Sequence, residues 1–477
     1  MKKIFNNILC YLYFSICLAL FSCNGYLDNI PKGEKIPTTF IDYDAFINYS
    51  DQLYMEIDYP CMLMDEFFKS SSKLSSDPLS KVMCLWDENA DRTIINSVDY
   101  AYKRAYEGVF YWNLIVQNGM SVTGCSDVER RALVAQGRVL RDITYFYLAT
   151  YYADQYSNTT LDKLSIPLVT SPDMEALSPQ VTIRELFNFL VEDLTKAIPD
   201  LPISSSNMYH PIKAAGYGML ARVYLTMGNY ELALKNANEA LNLNNKLYNW
   251  INYYNTDKSR FDSPTNYTTS VPLGIDDPEQ LNCENYVFRH SSMMFYNGNY
   301  GSGNYALSPE RAARFEKGDT RLLTHWKVRS STSLGTYYYG IYAVEPNKGG
   351  IRSAEMYYIK AECLARTGKI AEGMNTLNEV RKTRILPEYY KDLTADSEQE
   401  AVEKITNDKF NEFIQNIISY SDRRRLNKDP LYSKTMTRVV GGTTYTLSPD
   451  SHLWIMPFPE DVIKNPGNSP IVQNVDK

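Results

Sequence analysis

The stretch that decides the fold runs from residue 214 to residue 241 and reads AAGYGMLARVYLTMGNYELALKNANEAL. Small and large apolar residues recur in it three or four positions apart, which is the period of one face of an α-helix. Gly228 interrupts the pattern, and the same spacing then resumes. Because glycine commonly ends a helix, the stretch predicts two helices joined by a tight turn.

A second stretch, residues 354–380, shows the same pattern and reads AEMYYIKAECLARTGKIAEGMNTLNEV. The two stretches align at an offset of 140 residues, so that Gly368 takes the place of Gly228. Small residues that would let paired antiparallel helices approach closely are Ala221, Ala233, Ala361 and Gly373. Each stretch resembles a tetratricopeptide helix pair, and two in register predict a mostly α-helical scaffold.

Helical spacing also precedes these stretches. It covers residues 100–120, 129–154 and 183–198, and Pro199 and Pro202 end the last segment. We therefore predict helical repeats over about residues 95–242 and 350–385, an irregular insertion over about 243–349, and a carboxyl-terminal segment over 386–477. The insertion is rich in aromatic residues, which disfavour disorder, and we expect it to carry the main ligand surface.

The amino terminus has the layout of an export signal. Lys2 and Lys3 precede the apolar run Ile8–Phe21, whose 14 residues are too few to cross a hydrocarbon core of about 30 Å comfortably. The following LFSC motif, residues 20–23, resembles a bacterial lipobox, in which the leader is cut before the cysteine and the cysteine is acylated. We expect residues 1–22 to be removed and Cys23 to anchor the mature chain to a membrane without spanning it.

The charge and the cysteines exclude several classes of protein. The net charge of −7, which becomes −9 without Lys2 and Lys3, argues against a nucleic-acid partner. The longest basic run, Arg423–Arg425, is predicted to form local ion pairs at a helix end or a domain contact. The remaining cysteines are widely spaced, predict neither a disulfide framework nor a zinc site, and are expected to be mostly buried: Cys61, Cys84, Cys125, Cys283 and Cys363.

Catalytic motifs are missing from the sequence. It contains no H-E-x-x-H, no G-x-S-x-G, no Walker-type phosphate loop and no dinucleotide fingerprint, so we predict a protein without a cofactor and without enzymatic activity. Paired carboxylates for glycoside hydrolysis stay open as an alternative, because their separation in space is not visible in the sequence.

The chain resembles the SusD/RagB family of surface lipoproteins of Bacteroidota over nearly its whole mature length. The resembling segments are CNGYLDNIP at 23–31, YKRAYEGVFYWNLIVQNGM at 102–120, RVLRDITYFYLATYYAD at 138–154, both helical stretches, KGDTR at 317–321, and HLWIMPFPEDVIKNPGNSPIVQN at 452–474. The resemblance implies that residues 23–477 form a single SusD-like domain on a tetratricopeptide-like scaffold.

The resemblance also implies a function. Members are non-enzymatic lipoproteins on the surface of the outer membrane, where they capture oligosaccharides and deliver them to a SusC-like TonB-dependent transporter. Some members bind peptides instead, so a peptide ligand is the alternative, and a surface glycosidase is a more distant one. In this family the repeats look like the platform for the transporter, and the ligand site combines the region before the first repeat with the central insertion.

Sugar binding needs flat aromatic faces flanked by amides or carboxylates, and two places offer both. CLWDENADR, residues 84–92, supplies Trp86, Asp87 and Asn89, and MMFYNGNYGSGNY, residues 293–305, supplies Tyr296, Asn297 and Tyr300. We expect these six residues to bind the ligand, with packing beneath a loop as the alternative for Trp86. Residues expected to pack in the core are Trp250, Trp326 and Trp454, and His325 is expected either to pack or to bond a sugar edge.

Overall fold

The computed structural model describes residues 37–48, 56–64, 71–262, 283–289, 306–331, 335–340, 347–467 and 469–475. Helices dominate them, as predicted. The first eight are α1 (Phe40–Asn48), α2 (Asp58–Leu63), α3 (Ser71–Ser76), α4 (Pro78–Leu85), α5 (Arg92–Ile95), α6 (Tyr100–Asn118), α7 (Asp127–Tyr152) and α8 (Ile183–Ala197). The next six are α9 (Lys213–Thr226), α10 (Tyr230–Leu243), α11 (Trp250–Thr256), α12 (Lys258–Asp262), α13 (Pro309–Ala312) and α14 (Thr320–His325). The last five are α15 (Ser353–Arg366), α16 (Ile370–Arg381), α17 (Glu398–Glu412), α18 (Ile417–Asn427) and α19 (Glu460–Lys464).

The two repeated stretches form the helix pairs α9–α10 and α15–α16, so this prediction is confirmed. The helices of the first pair begin at residues 213 and 230, and those of the second pair begin at residues 353 and 370. Each helix of the second pair therefore begins 140 residues after its counterpart. Gly228 and Gly368 occupy the turns with φ of 74° and 83°, a conformation that glycine adopts without steric cost. Packing of α10 against α15 joins the two pairs into one helical body.

Small residues bring the paired helices together as the sequence predicted. A Cβ atom added to Gly373 on α16 would lie 2.7 Å from the carbonyl oxygen of Ala361 on α15. Ala221 and Ala233, at the equivalent positions of the first pair, have no exposed surface. The close helix contact therefore depends on the absence of larger side chains at these positions.

The helices that precede the repeats begin where side chains cap them. Asp99 accepts a hydrogen bond from the backbone of Ala101 at the start of α6. Ser126 and Glu129 form a capping box at the start of α7, and Thr182 with Glu185 forms another at α8. These caps fix the direction of the long helix α7, against which α6 and α8 pack.

The strands form four separate antiparallel pairs among the described residues. They are β1 (Leu164–Pro167) with β2 (Gln180–Thr182), β3 (Asn285–Val287) with β6 (Ile351–Arg352), β4 (Trp326–Ser331) with β5 (Gly335–Gly340), and β7 (Met436–Val440) with β8 (Thr443–Leu447). The β3–β6 pair connects the insertion to the start of α15. The β7–β8 hairpin turns at Gly441 and Gly442, both with positive φ, a conformation that glycine adopts readily and that the type I′ hairpin turn needs at both central residues.

A buried cluster of opposite charges ties the insertion to the second helix pair. Arg384 on the turn after α16 has no exposed side-chain surface and lies 2.8 Å from Glu284 and 2.9 Å from Glu412. Arg321 adds ion pairs to Glu412 and to Asp319, at 3.1 and 2.7 Å. The KGDTR segment therefore has a structural role, because its aspartate caps α14 and its arginine enters this charge cluster.

The predictions for single core residues can be compared with their burial. Trp250, Trp326 and Trp454 are all buried, which confirms their assignment to the core. Three of the five described cysteines are buried, as predicted for most of them, while Cys125 is half-buried and Cys283 is exposed. None of the helices in the described ranges is both long enough and apolar enough to cross a membrane.

Candidate ligand-binding cleft

A cleft of about 440 Å³ opens where five parts of the chain meet. Met64, at the end of α2, precedes the first helix pair in the sequence, and Arg311, on α13, lies within the insertion. Helices α17 and α18 form the floor, and the start of β7 forms the remaining wall. The cleft thus lies where the segment before the repeats meets the carboxyl end of the insertion.

The wall formed by β7 is held in place by Arg438. Its guanidinium group donates hydrogen bonds to the carbonyl oxygens of Met62, at 2.8 Å, and of Cys84. The same group lies over the ring of Trp86, 4.6 Å from the ring centre. Arg438 therefore joins the β7–β8 hairpin to α2 and α4 next to the cleft.

Trp86 supports this wall from behind. Only 4% of the residue is exposed, and its indole N–H donates to the carbonyl oxygen of Leu63 at 3.1 Å. Trp86 also has a left-handed backbone, φ 51° and ψ 50°, which ends α4 and turns the chain. Direct stacking of a sugar ring on Trp86 does not fit this burial, so the packing alternative describes its position better.

The other residues predicted to bind the ligand fall outside the cleft or outside the described residues. Asp87 and Asn89 are exposed on the turn after α4, where the Asp87 carboxylate accepts a hydrogen bond from the Asn89 backbone at 3.0 Å. They are not among the described residues that line the cleft. Tyr296, Asn297 and Tyr300 lie outside the described residues, and their role stays a prediction.

Cationic side chains from three separate elements converge on the cleft instead. They are Arg311, Arg314, Arg423 and Lys434. Arg311 is 1% exposed and donates to Oδ1 of Asn411 and to the carbonyl oxygen of Phe410, both at 2.9 Å. Ser308 caps α13 by accepting a hydrogen bond from the Arg311 backbone.

Helix α17 contributes an aromatic ring and two amides to the floor. Phe410 is half-buried, and the guanidinium carbon of Arg423 lies 5.1 Å from its ring centre. Asn407 is exposed toward the cleft, and Asn411 donates from Nδ2 to the carbonyl oxygen of Arg314 at 2.9 Å. The floor therefore combines an apolar face with amide and guanidinium hydrogen-bonding groups, which is the pattern of a polar-ligand site.

The basic run Arg423–Arg425 divides into three roles at the end of α18. Arg425 pairs with Glu362 and Asp422 at 2.7 and 3.0 Å, as predicted for local ion pairing. Arg424 is buried and donates to backbone carbonyl oxygens of Thr150 and Ala153. Arg423 alone faces the cleft. Burial lowers the pKa of Arg423 to about 10, against the opposing effect of Asp422 and together with the smaller effects of the cations Arg314 and Arg425, so Arg423 remains charged at neutral pH.

Catalytic groups and metal ligands are not assembled in the described part of the cleft. The lining residues that the structure describes include no aspartate or glutamate, so they offer no carboxylate pair for glycoside hydrolysis. No group of three or more potential metal ligands occurs among the described residues. His325 packs on Trp250 with ring centres 4.5 Å apart, and its Nδ1 lies 2.8 Å from the carbonyl oxygen of Arg321. The packing interpretation of His325 thus agrees with its contacts.

Comparison with known proteins adds sequence and fold information. Residues 25–225 match the model of a family described as SusD-like, "Starch-binding associating with outer membrane". No protein of curated function matches the sequence.

Several solved structures have the same fold. A SusD superfamily protein of Bacteroides thetaiotaomicron is 16% identical with a TM-score of 0.68, and the alignment covers 92% of this chain and 100% of that one. A putative sugar binding protein of Bacteroides vulgatus is 17% identical with a TM-score of 0.69, covering 92% and 99%. Surface glycan-binding protein A of Bacteroides thetaiotaomicron is 16% identical with a TM-score of 0.62, again covering 92% and 99%.

Proposed function

We propose a function from the premise that the chain is a SusD-like protein. The sequence match of residues 25–225 and the fold support this premise. The protein captures an oligosaccharide at the cell surface, is anchored in the outer membrane through a lipid on Cys23, and passes the ligand to a SusC-like TonB-dependent transporter. A carbohydrate-binding role agrees with the description of the family and with the name of the similar glycan-binding protein.

The cleft between α13, α17, α18 and β7 is the observation that supports this function best. Its half-buried Phe410 offers an apolar ring edge, and Asn407 offers an amide to hydroxyl groups of a ligand. Arginine and amide side chains form directional hydrogen bonds that can orient a polyhydroxylated chain. We propose that the cleft is the main binding surface, extended by the predicted residues Tyr296, Asn297 and Tyr300.

Calorimetric titration of the mature protein with a panel of oligosaccharides tests capture. We expect saturable binding of at least one oligosaccharide and weaker binding in Asn407→Ala and Phe410→Ala. The exposed helix α10 residue Lys235 lies outside the cleft, so Lys235→Gln serves as the control and should bind like the wild type. If both cleft variants bind every oligosaccharide with unchanged affinity, the proposed location is wrong.

Anchoring and delivery need separate tests in cells. Cys23→Ala should remove the lipid, and the protein should leave the membrane fraction. A variant that stays in the membrane fraction would contradict anchoring through Cys23. Delivery predicts that the protein co-purifies with a TonB-dependent transporter from detergent-solubilised outer membranes, and consistent recovery of the protein without such a transporter would contradict it.

A further inference from the structure

A second cavity, of about 230 Å³, lies at the carboxyl ends of α7 and α18. Its other walls are the segment 449–455 and the residues Asn474 and Val475 close to the end of the chain. The described residues that line it are all different from those that line the ligand-binding cleft. The cavity is therefore a separate feature of the fold.

Two buried amide side chains line this cavity from different elements. Asn427 is the last residue of α18, Gln155 follows α7, and each is only 6% exposed. Among the described residues, Oδ1 and Nδ2 of Asn427 and Nε2 of Gln155 have no hydrogen-bond partner. Because burying a polar group without a partner lowers stability, most such groups in proteins have one. The walls of the cavity thus carry hydrogen-bonding capacity that the fold itself does not use.

The charged residues around the cavity are engaged with other groups. Nζ of Lys163 lies 2.6 Å from the Asp154 carboxylate, and Nζ of Lys428 lies 3.3 Å from the Asp450 carboxylate. Arg424 donates to two backbone carbonyl oxygens near the end of α7. Since the ammonium and carboxylate groups are paired, the amides are the groups left to recognise a ligand, and they favour a neutral polar one.

The size of the cavity and Trp454 narrow the class of ligand further. A volume of about 230 Å³ is below the range of about 300–1000 Å³ that is typical of pockets for larger ligands, so the cavity suits one ring and not a chain of rings. The indole N–H of Trp454 donates to the carbonyl oxygen of Ser448 at 2.8 Å. Its only donor is therefore in use, and the indole contributes apolar surface to the wall.

We propose that this cavity binds a single neutral hexopyranose, at a second site that is separate from the cleft. The Asn427 amide donates from Nδ2 to one hydroxyl oxygen of the sugar and accepts at Oδ1 from the neighbouring hydroxyl group. Nε2 of Gln155 donates a third hydrogen bond, and the indole of Trp454 contacts C–H groups of the ring. The inference does not depend on oligosaccharide capture at the cleft.

Saturation-transfer NMR titrations of the mature protein with single sugars test the proposal. The probes are glucose, galactose and mannose, which are neutral, and glucuronate, which carries a carboxylate. We expect saturable binding of at least one neutral hexose, which should also raise the melting temperature of the protein, because a ligand that binds only the folded state stabilises it. Glucuronate should bind more weakly than that hexose.

Two variants remove the amides at nearly constant side-chain size. Asn427→Leu should weaken binding of the hexose roughly tenfold and Gln155→Met roughly fivefold, since they remove two hydrogen bonds and one. Without sugar, both variants should melt no lower than the wild type, because each replaces an unpartnered buried group with an apolar one. The exposed Lys235 on α10 lies outside the cavity, so Lys235→Gln is the control and should bind and melt like the wild type.

Four results would overturn the inference. They are the absence of binding by every neutral hexose, tighter binding of glucuronate, hexose binding that neither amide variant weakens, and hexose binding that is lost in the cleft variant Asn407→Ala but kept in Asn427→Leu. A crystal of the protein soaked with the bound hexose should show one sugar ring in the cavity, and ordered water only at that place would also overturn it. Capture of an oligosaccharide at the cleft is tested separately and stands or falls without these results.

Discussion

Replacing Glu412 with glutamine should destabilise the protein substantially more than replacing an exposed glutamate of the same helix, α17. The Glu412 carboxylate lies 2.9 Å from Arg384, 3.1 Å from Arg321 and 3.3 Å from Arg352, and all three arginines are buried. Breaking a buried ion pair from one side costs about 3–5 kcal/mol. Each arginine keeps a second carboxylate partner, which is Glu284 for Arg384 and Arg352 and Asp319 for Arg321. We therefore expect the free energy of unfolding to fall by an amount near the lower end of this range, about 3 kcal/mol.

Urea unfolding of the mature protein, followed by circular dichroism, measures this loss as a shift of the midpoint. Glu403→Gln is the matched control, because Glu403 is exposed on the same helix and its carboxylate accepts a hydrogen bond from the neutral Gln399. The control should unfold like the wild type. If Glu412→Gln lowers the free energy of unfolding no more than Glu403→Gln, the buried charge cluster does not hold the insertion to the second helix pair.

Three further predictions follow from packing and charge. Gly373→Ala should lower the free energy of unfolding by about 1–3 kcal/mol, because its Cβ would press on the Ala361 carbonyl oxygen; an unchanged urea midpoint would refute the close contact. Burial would raise the pKa of Glu362, but Arg425 and Arg366 outweigh it and hold that pKa at about 2, below the ordinary 4.5. The stability from this carboxylate is therefore complete above pH 4.5 and falls as the pH drops toward 2, so Glu362→Gln should flatten the pH dependence of the melting temperature in that range; a parallel pH profile would contradict this. Trp86→Ala should cost about 3–5 kcal/mol in an unfolding titration, and a variant as stable as the wild type would show that Trp86 is not a core residue.

The scaffold could be predicted from the sequence because its signals are local. Helical spacing and the glycines Gly228 and Gly368 lie within short stretches, and the 140-residue offset between the stretches is exact in the structure. The contact at Gly373 was also predictable, because a small residue at this position of a helix pair allows the two helices to approach closely.

The cleft could not be predicted in the same way, because it depends on contacts between distant segments. Arg311 and Arg423 are 112 residues apart in sequence and line the same cleft only after α13 packs beside α17. Trp86 shows the converse: polar neighbours suggested an exposed ring, but the left-handed turn at its own position directs it into the core. The basic run Arg423–Arg425 at the end of α18 gave a local signal for the cleft, because Arg423 lines it. The sequence alone led us to interpret this run as local ion pairing, which holds for Arg425.

A crystal structure of the mature protein with a bound oligosaccharide tests the central claim most directly. The account predicts density for the sugar in the cleft, with a ring against Phe410 and polar contacts from Asn407 and Arg423. Density for the oligosaccharide at another surface, with the cleft holding only solvent, would contradict it.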